Sequence, residues 1–95
     1  MALMAGLRSD YFFVQWKRGG EVVQYEIANV YDASVSGYTG TVNYYGYLNP
    51  NGGWVIQQYD TATGIFLYCS GLNGYSTAWS GRGGLTYVAY NALFN

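Results

Sequence analysis

Ninety-five residues make one domain, and a chain of that size hides only about two-thirds of its extended surface on folding. Its composition is 51% hydrophobic and 20% aromatic (12 Tyr, 4 Phe, 3 Trp), yet only 9% charged, roughly a third of the usual fraction. The net charge of −1 gives no field to gather nucleic acid, no run reaches the roughly 18 apolar residues of a membrane helix, and the absence of histidine removes the usual zinc and copper ligand sets.

The opening Met1–Leu7 is too short for a secretory signal and has no basic residue before it, so a protein made in the cytoplasm is expected, with Met1–Ser9 as a loose arm. The strongest local signal follows. Two aromatic and β-branched runs, Tyr11–Arg18 and Glu21–Ile27, flank Gly19-Gly20, a pair that tolerates the positive φ angles of a tight hairpin turn. If those glycines are the loop, opposed residues sum to 39: Arg18 with Glu21, Trp16 with Val23, Val14 with Tyr25, Phe12 with Ile27. Beyond the turn that face is wholly apolar, whereas the other (Lys17 with Val22, Gln15 with Gln24, Phe13 with Glu26, Tyr11 with Ala28) is mixed. One register thus sorts a core side and closes the turn on an opposite-charge pair.

Asp32–Gly40, rich in Ser, Gly and Thr, reads as the connection to a second unit. There Thr41–Leu48 leads through Asn49-Pro50-Asn51-Gly52-Gly53 into Trp54–Asp60, and Asp60–Gly64 reads as a type I turn with a left-handed glycine feeding Ile65–Ser70. The stretches Gly19–Gln24 and Gly52–Gln57 resemble each other at an offset of 33, a hint of two related hairpins. Helical periodicity is limited to a single possible turn at Tyr75–Trp79, and Leu85–Tyr90 alternates like a last strand. The expectation is an all-β domain spanning residues 1–95, with about six mostly antiparallel strands in a small barrel or sandwich.

Catalytic chemistry is poorly served. Without histidine, a group titrating near neutrality is missing, and Asp10, Glu21, Glu26, Asp32 and Asp60 form no evident acid/base pair. Cys69, with Leu67 and Gly71 as same-face neighbours, reads as a small buried thiol, and as the sole cysteine it excludes an internal disulfide. Gly19-Gly20, Gly52-Gly53 and Gly83-Gly84 match no phosphate-cradling pattern. No catalytic residue, metal site or cofactor is expected.

The aromatic surplus is the feature that demands a function. Alternate residues of a strand face opposite ways and each ring covers on the order of 150–250 Å², so several rings are expected to face outward, most plainly among Tyr44, Tyr45 and Tyr47. Three readings compete: burial against copies of itself or other subunits, platforms for sugar rings with Asn43, Asn49, Asn51, Gln57 and Gln58 as hydrogen-bonding partners, or simple strand-compatible phenols in solvent. Trp16 and Trp54 read first as core, Trp79 as a loop residue stacked near Arg82, and Arg82 as a clamp on loop carbonyls. Tyr44, Tyr45, Tyr47, Trp54, Tyr75, Trp79 and Arg82 are the candidate interface or ligand platform.

Tyr45-Gly46-Tyr47, Trp54-Val55-Ile56, Asp60, Gly64 and the closing Trp79-Ser80-Gly81-Arg82-Gly83-Gly84-Leu85-Thr86-Tyr87 resemble a pattern shared by short tailed-bacteriophage virion and tail-region proteins, mostly of unassigned function. The resemblance covers about half of the chain. It departs at Ser80-Gly81, where the group often has acids, and at Gly83-Gly84, where it often has Ala-Ser. What it implies is a non-enzymatic particle component, a capsid decoration or cement protein first, located in the virion and partnered by itself and other virion proteins. The alternative is a carbohydrate-binding or host-adhesion module of a tail fibre.

Overall fold

The computed structural model describes residues 13–18, 21–35, 37 and 40–93. Five strands are described, β1 (Phe13–Arg18), β2 (Glu21–Tyr31), β3 (Val42–Leu48), β4 (Trp54–Asp60) and β5 (Ile65–Gly71), followed by the short helix α1 (Tyr75–Ser80), a 3-10 turn (Arg82–Gly84) and the single-turn α2 (Tyr90–Leu93). All strands are antiparallel to their neighbours in the order β1-β2-β3-β4-β5, a plain meander.

The β1–β2 register is the one the Gly-Gly turn requires: Arg18 faces Glu21, Trp16 faces Val23 and Val14 faces Tyr25. The glycines themselves, the pairs reaching Tyr11 and Phe12, and the arm Met1–Ser9 lie outside the described residues. Further along, Asn49 N–H donates to Gly53 O (2.7 Å) and Gly52 sits at φ 96, closing the β3–β4 loop. The β4–β5 turn is the expected type: Thr63 and Gly64 N–H both donate to Asp60 O, with Gly64 at φ 74.

The sheet curls into a half-barrel. Across its concave face Trp16 of β1 meets Tyr47 of β3 edge-on (5.0 Å) and Tyr68 of β5 at 6.0 Å, so opposite margins of the meander touch through their rings. That face buries Trp16, Tyr25, Val55 and Tyr68, with Val23, Tyr47 and Leu93 of α2 packed beside them. On the convex face Trp54 and Ile56 are buried against Ala78 of α1 and beneath the segment that follows it. Val55 and Ile56 are consecutive and both 0% exposed, so β4 is covered on both sides. Full burial of two such side chains stabilises by about 1.5–3 kcal/mol each.

The expected strand at Leu85–Tyr90 does not form. Its one ladder contact is a bridge between Val88 and Tyr68, with N···O distances of 2.7 and 2.8 Å. The alternation has another cause. Leu85 and Tyr87 pack on the convex cluster, the chain crosses the β5 edge at Val88, and Tyr90 and Leu93 then reach the concave side, where Tyr90 meets Tyr68 edge-on at 5.6 Å. A segment that laps over a sheet margin alternates as a strand does, but pairs only where it crosses.

Candidate functional site

The site begins with an irregularity in β2. Up to Ile27, which faces Tyr47, the pairing with β3 is regular; it resumes one residue out of step with Asn29 facing Gly46 and Tyr31 facing Tyr44. The extra residue is Ala28. A bulge inverts the alternation downstream of it, so Asn29 and Tyr31 are delivered to the convex face while Ile27 and Val30 remain on the concave one. The sequence carries the signal: apolar positions run Val23, Tyr25, Ile27 and then skip to Val30.

On that face Gly46 leaves room for α1. A side chain there would collide with the Tyr75 phenol and the Trp79 ring. Into this space Tyr75 extends across β3 and donates its hydroxyl hydrogen to Asn29 Oδ1 (2.8 Å). Gly71 plays the same part under Trp54, whose indole lies against it and donates Nε1–H to Asn73 O (2.6 Å).

Arg82 sits at the centre of the convex cluster. Its guanidinium lies 4.6 Å from the Trp79 ring centroid, 4.9 Å from Tyr31 and 5.7 Å from Tyr44. Nη1 donates to Trp79 O (2.8 Å), and the Arg82 carbonyl accepts from Tyr87 Oη (2.7 Å). The expected clamp falls on a carbonyl of the last turn of α1 and not of a loop, since Trp79 lies in that helix, and three rings lie within cation–π distance of the guanidinium. Burial raises the Tyr75 phenol to about 12 and the Tyr87 phenol further still, with the Arg82 charge opposing both shifts. Both phenols stay protonated donors at neutral pH.

The predicted site residues divide between the two faces. Tyr44, Trp54, Tyr75, Trp79 and Arg82 share the convex side, and all but Trp54, which is buried in the core, remain half-buried there. Tyr45 and Tyr47 lie on the concave side: Tyr45 Oη accepts from Asn43 Nδ2 (3.3 Å), and Tyr47 Oη donates to Gln57 Oε1 (3.4 Å). The seven candidate platform residues are thus not assembled on one surface.

Nor do Tyr44, Tyr45 and Tyr47 stand out as exposed rings. All three are half-buried, because both faces of the sheet are covered and rings pack against rings, as Tyr44 does with Tyr31 (6.2 Å) and Tyr87 (6.0 Å). The exposed apolar side chains lie elsewhere. Ile65 (54%) and Phe66 (45%) belong to β5, Leu72 (78%) follows it and Tyr90 (44%) packs on its Tyr68, while Val30 and Val35 lie at the far end of β2 and beyond it. Phe66 stacks on Tyr59 with centroids 4.2 Å apart, presenting a flat double ring at the sheet margin.

Between Arg82 and the β2–β3 end opens a cleft of about 400 Å³ lined by Tyr31, Gly40, Thr41, Val42, Tyr44, Ser80, Arg82 and Gly83. Among the described residues no cluster of His, Cys, Asp and Glu could hold a metal ion, and no helix is long and apolar enough to cross a membrane. The chain matches no protein-family model, no curated protein and no solved structure.

Proposed function

We propose that this protein is a non-enzymatic structural component of a bacteriophage virion that works by subunit association, a capsid decoration or cement protein first within that class. The observation that carries the reading is the margin of the sheet. Edge strands are ordinarily blunted by charge, proline or cover, whereas residues 61–81, which contain β5, hold no charged residue at all. The same strand carries exposed Ile65 and Phe66 and leads directly into exposed Leu72. Val88 bridges it at Tyr68 alone. By strand alternation the backbone groups of Phe66 point to the same side as those of Tyr68, toward the margin where a neighbouring subunit could pair.

The scarcity of charge throughout the chain leans the same way, as does the resemblance of the pattern from Tyr45 to Tyr87 to that of short phage proteins. Partners would be copies of itself and other virion proteins, assembled in the host cytoplasm. Light scattering on the purified chain, with and without Ile65→Glu, tests the reading together with proteomics of virions. Expected are concentration-dependent oligomers that the glutamate abolishes without lowering the melting temperature by more than a few degrees, and the protein's presence in particles. A stable monomer absent from particles would overturn it.

A further inference from the structure

The cleft beside Arg82 has a chemistry that the association role does not use. A guanidinium carries five N–H donors in a planar fork; here a bond to Trp79 O anchors it, and the Trp79, Tyr31 and Tyr44 ring centroids lie 4.6, 4.9 and 5.7 Å from its central carbon. Among the described residues Arg82 is the one ionic group in the cleft lining, and no other charge follows Asp60 in the sequence. Thr41 and Ser80, which carry hydroxyls, line the same space. Thr41 Oγ1 donates to Asp60 Oδ1 (3.1 Å), which leaves its oxygen facing other donors as an acceptor.

One cation balances one negative charge, and a planar fork matches a carboxylate in two parallel bonds. A phosphate dianion would keep an unbalanced charge, since the described residues of the lining offer no second cation. A volume of about 400 Å³ exceeds what a bare carboxylate fills and falls in the range of small-molecule sites. The Tyr44 ring lines the cleft beside Thr41 and Ser80, residues that carry hydroxyls, and a ring next to hydroxyl groups is the mixture that recognises a pyranose.

We propose that the cleft between Arg82 and Thr41 binds a carboxylate-bearing sugar, a uronic-acid residue, with its carboxylate on the Arg82 guanidinium and its hydroxyls on Thr41 and Ser80. This site is independent of the association surface on β5, and its test does not depend on assembly. The full chain, labelled with 15N, is titrated separately with glucuronate, glucose, acetate, inorganic phosphate and a short acidic peptide. Glucuronate is expected to shift the amides of Thr41 and of residues 80–84 saturably, with glucose and acetate about tenfold weaker or worse, the loss typical of one charge-assisted contact. Ser80→Ala, an exposed position, is expected to weaken glucuronate about three- to tenfold with an unchanged melting temperature. Arg82→Lys, checked for folding by circular dichroism, is expected to abolish the discrimination between glucuronate and glucose. Equal binding of glucose or acetate, tighter binding of phosphate or of the peptide, or no shift with any probe would each overturn the proposal.

Discussion

The phenol of Tyr75 occupies the space that a side chain at Gly46 would fill, and from there it reaches Asn29 on the next strand over. One glycine in the middle of β3 therefore lets a helix residue tie itself to β2 across the sheet. The aromatic-Gly-aromatic pattern of Tyr45-Gly46-Tyr47 follows from this need for clearance on the convex face alone.

Gly46→Ala should then destabilise the fold by about 1–3 kcal/mol, the usual cost of overpacking a filled site. Urea unfolding measures it. In the Tyr75→Ala background the same change should cost much less, giving a coupling of about 0.5–3 kcal/mol. Strict additivity of the two substitutions would show that the phenol is not what Gly46 accommodates.

Stability should fall steeply in alkali. Tyr75 is raised to about 12 and Tyr87 and Tyr47 are raised as well, burial being the largest cause for each. A phenol with a folded pKa above its unfolded value near 10 stabilises fully below pH 10, and that contribution is lost as pH rises through the folded value. Urea midpoints should therefore decline between pH 10 and 12, and absorbance titration at tyrosinate wavelengths should show a late, cooperative step. Tyr75→Phe should flatten the decline; an unchanged slope in both that variant and Tyr87→Phe would contradict the burial assigned to these phenols.

The first hairpin was legible because turn chemistry and facial pattern agree on one register, from Arg18 opposite Glu21 to Phe13 opposite Glu26. The turn at Gly64 was legible for the same local reason. The convex site was not. Its assembly depends on the bulge at Ala28, visible only as a skipped apolar position, and on Gly46, whose role appears only once α1 is known to lie over it. Leu85–Tyr90 misled because its alternation serves two faces of one sheet and not one face of a sixth strand. The aromatic surplus was real in the sequence, but counting inward positions on one face underestimates what a two-sided curled sheet can cover, and the exposed apolar groups fell to Ile65, Phe66 and Leu72 instead of the tyrosine run.

Cys69 should behave as a packing group. It lies against the Ile56 cluster, and burial pushes its thiol pKa up despite an opposing hydrogen bond from the Ser70 backbone. Disulfide-exchange reagents should modify it well over tenfold more slowly in the native protein than in urea, since thiolate is the reactive form. Cys69→Ala should cost only about 1 kcal/mol, the value of a small deletion at a half-buried position. Native reactivity equal to that of a free thiol would require a different environment for β5.

Arg82 should contribute to stability chiefly through the plane of its side chain. Its central carbon lies 4.6–5.7 Å from the Trp79, Tyr31 and Tyr44 ring centroids, where a flat cation covers more ring surface than an ammonium, and the bond to Trp79 O uses a donor at its edge. An ammonium is a compact charge that cannot satisfy both at once. Arg82→Ala should therefore cost about 2 kcal/mol, combining a cation–π term of about 0.5–1 with a charge-assisted bond of about 1.5. Arg82→Lys should recover less than half of that, and both should red-shift Trp79 fluorescence as water reaches the indole. Tyr87→Phe leaves the charge in place and removes only the donor to the Arg82 carbonyl, so it should cost about 1 kcal/mol without the spectral shift. Full rescue by lysine would mean that charge alone, and not the stacked geometry, holds the loop against the sheet.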